Sequence, residues 1–167
     1  GVIEQNGIRV ERMQFAFHSL LKDQVIERDL LLHDWRCFRV AEALAAGGIY
    51  NILIANQVVG ERKIRRLVNL AAYSRVMVAV DSADNVLALS AAAQTRGVAL
   101  GVLVEVNIGH NRCGVAPLEP ALALSRAVDA APGLKYMGLM GYDGHCTFGV
   151  TEAQRAVLSR QANTLLA

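Results

Sequence analysis

From residue 50 onward, short apolar runs alternate with longer stretches whose apolar residues recur at helical spacing. Residues 50–55, 75–80, 99–107 and 135–142 are nearly continuous apolar runs, the pattern of strands buried on both faces. Between them lie predicted helices. Residues 41–46 end at Gly47-Gly48, and residues 61–72 carry Ile64, Leu67, Val68 and Ala71 on one face. Residues 83–96 follow the capping candidates Asp81 and Ser82. Pro117 opens a helix through Ala131, and the last helix starts at Thr151, with Leu158, Ala162 and Leu165 on one face. Strands alternating with helices, without hairpin turns, predict parallel strands joined by right-handed crossovers. Two architectures fit: a doubly wound open sheet, or part of a (β/α)8 barrel, which when complete needs about 250 residues.

The first 39 residues lack this regularity. Residues 11–33 have scattered helical spacing, with Phe15, Leu20, Leu21, Val25 and Leu30–Leu32, and residues 36–40 suit a short strand.

Period two sorts each strand into two faces. In the central one, Leu100, Val102, Val104 and Val106 suit packing against helices, opposite Gly101, Leu103, Glu105 and Asn107. Val76, Val78 and Val80 oppose Met77, Ala79 and Asp81, and Met137 and Leu139 oppose Gly138, Met140 and Tyr142. Polar groups appear only at the C-terminal ends, where parallel α/β folds carry their chemistry. Asp81, Glu105, Asn107 and Tyr142 therefore share one mouth with Arg112 and His145, and Asn56 is a further candidate. Glu105 and Arg112 are expected within hydrogen-bond reach across the Gly109 turn. Plainer roles stand beside these: an ion pair for Glu105 and Arg112, a helix cap for Asp81, and a core aromatic for Tyr142. Cys113 suits a small buried residue better than a nucleophile, because nothing near it in sequence lowers its pKa.

Composition narrows the classes. The chain has 167 residues, 53% of them hydrophobic and 19% charged, with a net charge of +2, so it is globular. No basic block argues for nucleic acid; Arg62, Lys63, Arg65 and Arg66 suit a solvated helix face. Three cysteines without framework spacing suggest thiols in a reducing compartment. His110 with Cys113, and His145 with Cys146, lack the second ligand pair of a zinc finger, so no metal site is assigned. With neither a signal peptide nor a membrane-length apolar run, a cytoplasmic protein without a membrane partner is expected.

Three stretches carry a resemblance: Leu103-Val-Glu-Val-Asn-Ile-Gly-His-Asn-Arg-Cys-Gly-Val115, Ile52-Leu-Ile-Ala-Asn-Gln-Val-Val-Gly60 and Gly138-Leu-Met-Gly-Tyr-Asp-Gly-His145. From about Val40 to the C-terminus the chain resembles the pyridoxal-phosphate barrel of D-threonine aldolases and D-serine dehydratases, which alanine racemases share. The resemblance implies a partial (β/α)8 barrel of four to five βα units at 40–167, with 1–39 unassigned. It implies pyridoxal phosphate as cofactor and a small D-amino acid substrate. The activity implied is lyase cleavage of β-hydroxy D-amino acids to glycine and an aldehyde. D-serine or 3-hydroxyaspartate dehydration and non-catalytic cofactor binding remain alternatives. By the same resemblance Arg112 contacts the cofactor ring region and Tyr142 faces the ring. Glu105 stands where alanine racemases carry a modified lysine that orients the arginine, and His145 lies in the loop of an acid/base histidine. The family's cofactor lysine lies in a Pro-His-x-Lys context that residues 1–39 lack; Lys22, with His18 nearby, is the lysine available there. The family's later phosphate-binding loops and its metal-holding C-terminal β-domain have no counterpart here. The chain then reads as an inactive portion of a parent enzyme that is metal-activated, with a homodimer among the assemblies the resemblance allows.

Overall fold

Strand pairing accounts for the alternation directly. The computed structural model describes residues 2–5, 8–11, 29–32, 37–147 and 151–166, with side-chain burial from Val40 onward. The elements are β1 (Val2–Gln5), β2 (Ile8–Glu11), β3 (Asp29–Leu32), α1 (Cys37–Ala46), β4 (Asn51–Gln57), α2 (Glu61–Leu70), β5 (Arg75–Val80), α3 (Ala83–Arg96), β6 (Leu100–Val106), α4 (Glu119–Asp129), β7 (Leu134–Gly141) and α5 (Glu152–Leu166). A 3-10 turn, Gly144–Cys146, separates β7 from α5. The strands β3 to β7 form one sheet in chain order, and every neighbouring pair is parallel. β1 and β2 pair antiparallel in a separate ribbon.

Which face each strand residue takes decides between the two architectures. Ile52, Ile54, Val76, Val78, Val80, Leu100, Val102 and Val104 share one buried cluster with Ala41, Leu67, Leu89, Leu124 and Val128 from α1 to α4. The opposite face gathers Leu53, Ala55, Ala79, Leu103 and Met140, with Met77 and Met137, all from strands. Helices covering one face, and a second face lined among the described residues by strand residues alone, fit a barrel wall and not a doubly wound sheet. On that inner face Gly101 makes room for its neighbours: a Cβ there would lie 2.7 Å from Met77 Cγ and 3.2 Å from Met137 Cγ.

Several expectations change. Leu30, Leu31 and Leu32 are strand residues, paired with Ile52, Leu53 and Ile54. A short apolar run is equally compatible with helix and strand, and only a partner strand decides. Residues 37–40 are helical, because the helix that buries Ala41 and Ala45 begins a turn earlier than the periodicity indicates. Met137 lies on the inner face with Met140, while Leu139 packs outward. The β6–β7 register slips between Val102 and Leu103, where Gly138 has φ +120°, a backbone L side chains avoid. α4 begins two residues after Pro117 and carries Pro120 in its first turn. At α5, Thr151 Oγ1 accepts from Gln154 N at 3.3 Å, and Gln154 Oε1 accepts from Thr151 N at 2.9 Å, a capping box. Phe15, Leu20, Leu21, Val25, His18 and Lys22 lie outside the described residues. The basic cluster on α2 is a solvated face in part: Arg66 makes two hydrogen bonds to Glu42, at 3.0 and 2.7 Å.

Candidate active site at the C-terminal mouth

The loop after β6 is a closed ring of backbone. Val115 N donates to Glu105 O at 2.9 Å, and Asn107 N donates to Val115 O at 2.8 Å, so the chain returns to the strand end it left. Inside the ring, Asn107 Oδ1 accepts from Gly109 N and Asn111 N, both at 3.1 Å, and its amide donates to Asn111 Oδ1 at 2.9 Å. Asn side chains make such bonds to nearby backbone readily, which suits them to tight turns. The loop is held to β5 as well, because Gly114 N donates to Asp81 Oδ2 at 3.1 Å. Asp81 therefore is not the cap of α3. That role falls to Ser82, whose Oγ accepts from Asn85 N at 3.3 Å.

Fixed in this way, the loop presents His110, Arg112 and Cys113 to a cavity closed by Glu105, Asn107 and Tyr142. Tyr142 is 37% exposed and stands edge-on to His110, with ring centroids 5.1 Å apart and planes at 87°. His145 lies behind His110 and outside the cavity lining, the two rings stacked 6.0 Å apart. Its Nδ1 is buried with no hydrogen bond among the described residues, and its Nε2 is 3.5 Å from Cys146 Sγ. The structure thus brings Glu105, Arg112 and Tyr142 together, sets His145 one layer back, and leaves Asn56 out of the lining.

Glu105 is 5% exposed. Its carboxylate accepts a hydrogen bond from Gln57 Nε2, and the Cys113 thiol lies near enough to influence its charge. Arg112 attracts it electrostatically but forms no ion pair with it, so the hydrogen bond expected between the two is made by Gln57 instead. Sequence reading passed over Gln57, although it shares parity with the inward Leu53 and Ala55. Burial raises the Glu105 pKa; Gln57 opposes that shift, Asp81 adds to it, and Cys113 and Arg112 oppose it. The Cys113 thiol is also pushed up, first by burial and then by the Glu105 charge, which disfavours a thiolate nucleophile.

The raised Glu105 pKa has a consequence for stability. Above the ordinary value of 4.5, the folded state keeps a proton that the unfolded chain releases, so this group's contribution is fully present below 4.5 and is lost as pH rises to the folded value. Urea denaturation across that range should show Glu105→Gln losing less stability with rising pH than the unsubstituted protein. Parallel curves for the two would contradict the burial of this charge.

A parallel sheet with helices on one face and a polar mouth at its strand ends defines the class: a segment of a (β/α) barrel with its site at the C-terminal side. Residues 31–167 match the alanine racemase N-terminal domain, and the chain belongs to that family. It is 39% identical over 133 residues to a D-threonine aldolase of Arthrobacter sp., covering 78% of this chain and 35% of that protein. It is 43% identical over 105 residues to a 3-hydroxy-D-aspartate aldolase of Paracoccus denitrificans, covering 62% and 27%. The crystal structure of D-threonine aldolase from Filomicrobium marinum superposes with a TM-score of 0.78 at 37% identity, over 82% of this chain and 36% of that one. The chain thus spans about a third or less of the length of these relatives.

Proposed function

We propose that this chain is part of a pyridoxal-phosphate-dependent lyase that cleaves β-hydroxy D-amino acids to glycine and an aldehyde. The observation that carries the reading is the mouth itself: the guanidinium of Arg112 and the ring of Tyr142 border one cavity above a buried carboxylate. A flat aromatic face beside a permanent cation fits a flat, oxygen-bearing, anionic pyridine ring. The similarity to two aldolases supports cleavage over dehydration. When bound, pyridoxal phosphate supplies an electron sink for negative charge left at the substrate Cα. Arg112 would hold the cofactor's ring region and Tyr142 would cover its face. The charge of Glu105 draws Arg112 toward the mouth, and the loop tied to β6 and to Asp81 keeps Arg112 there. His110, which meets Tyr142 at the cavity edge, is better placed than His145 to hold or move a proton there. Lys22 lies outside the described residues. Among those residues no group of three His, Cys, Asp or Glu side chains suits a metal ion, so a divalent activator would use ligands elsewhere in the protein.

The test is product analysis with the full-length protein supplied with pyridoxal phosphate. D-Threonine should yield glycine and acetaldehyde in equal amounts, and L-threonine should not. Ammonia with 2-oxobutanoate would establish the dehydratase alternative, and cofactor binding without turnover would establish a carrier.

A further inference from the structure

We propose that Gln57 is a positioning residue of this site: its side-chain amide fixes the buried Glu105 side chain and so steadies the strand end to which the loop carrying Arg112 and Cys113 is tied. In its catalytic part the inference rests on the lyase reading above.

Topology makes this contact informative. Gln57 ends β4 and Glu105 lies near the end of β6, with β5 between them. Strands two apart are separated by roughly 9.6 Å, so no backbone hydrogen bond joins them and only long side chains meet. Ala79 of β5, the register partner of Gln57, leaves space for that crossing on the inner face. The β4–β5 register shifts between Ile54 and Gln57, and Gln57 pairs with the inward Ala79. Gln57 Nε2 then donates to Glu105 Oε2.

The chemistry selects an amide at position 57. A carboxylate that is 5% exposed needs donors to remain charged. The groups facing Glu105 are Gln57 from β4, Asp81 beyond β5, and Cys113 and Arg112 from the loop. Asp81 repels it, and Arg112 is exposed and reaches it only through space. Gln57 is thus the neutral donor that holds the carboxylate without adding charge. The path to the loop runs through Glu105 itself, because its carbonyl accepts from Val115 N at 2.9 Å and Arg112 and Cys113 lie within the loop that this bond closes.

Two measurements on the full-length protein test this. The first needs no substitution at position 57. With 15N-labelled Gln and 13C-carboxyl-labelled Glu, and no cofactor added, the Gln57 side-chain amide signals should move with pH at the same midpoint as the Glu105 carboxyl carbon. They should stop moving in Glu105→Gln. Gln57 signals that stay flat through the Glu105 titration overturn the proposal. The second uses Gln57→Met, which keeps length and removes the donor. The Glu105 midpoint should rise, and kcat for D-threonine should fall roughly tenfold with a smaller change in KM. An unchanged midpoint overturns the positioning role, and a raised midpoint with unchanged kcat overturns its catalytic part. If the unsubstituted protein turns over no β-hydroxy D-amino acid, the lyase reading fails, and the titrations still decide the role of Gln57.

Discussion

Gly114→Ala should destabilise the protein by about 3 kcal/mol and dismantle the mouth, the largest stability effect expected of any single methyl group at this site. Gly114 has φ +95°. A Cβ there would lie 2.6 Å from Asn107 N, 2.7 Å from Val106 C and 3.1 Å from Glu105 O. All three are backbone atoms of the strand end, which cannot swing aside as a flexible side chain would. The chain at 114–115 must therefore move off β6. That movement breaks the two backbone hydrogen bonds between Val115 and the strand, and the bond from Gly114 N to Asp81. Each is worth about 1 kcal/mol, and the three together account for the loss. Thermal unfolding should fall by roughly 6–12 °C. Gly97→Ala is the control, since it also has positive φ but a Cβ there meets nothing within 4 Å. If Gly114→Ala costs no more than Gly97→Ala, the loop is not closed as described.

Arg112→Ala should have the opposite profile. Arg112 is exposed and forms no ion pair among the described residues, so its removal should change stability by less than about 0.5 kcal/mol. On the proposed lyase reading, turnover of β-hydroxy D-amino acids by the full-length protein should nevertheless fall roughly 100-fold, the cost of losing one preorganised donor at a reacting centre. Arg112→Lys should restore only a minor part. An ammonium keeps the charge but not the planar fork that addresses two oxygens at once. Activity within threefold of the unsubstituted protein for Arg112→Ala would remove this residue from the proposed cofactor pocket. A large loss of stability would instead give it a structural role.

The contrast between these two positions follows from how each is held. Gly114 is enclosed by backbone and answers to geometry, whereas Arg112 projects from the closed loop and answers to whatever occupies the cavity. Between them lies Glu105, buried like a core residue and charged like a site residue. Its raised pKa expresses that conflict. Such conflicts between local chemistry and burial concentrate at functional sites.

The sequence by itself determined the alternation of strands and helices, the parallel pairing of β4 to β7, and the faces of β5 and β6. These are local properties: side-chain direction alternates along any regular strand, and the absence of hairpin turns between β4 and β7 leaves only crossovers. It also placed Glu105, Arg112 and Tyr142 at one mouth, since each lies at or just beyond the C-terminal end of its strand. Only the tertiary structure decided the rest. Leu30–Leu32 became a strand because the edge of β4 was there to pair with. Met137 turned inward because the register with β6 slips beside Gly138. Asp81 left the cap of α3 to Ser82 because Gly114 N, 33 residues away, offered a better-placed donor. Gln57 met Glu105 across an intervening strand, 48 residues apart in the chain. In each case the deciding partner is distant in sequence, and no period of 2 or 3.6 residues carries information about a neighbour that only folding brings near.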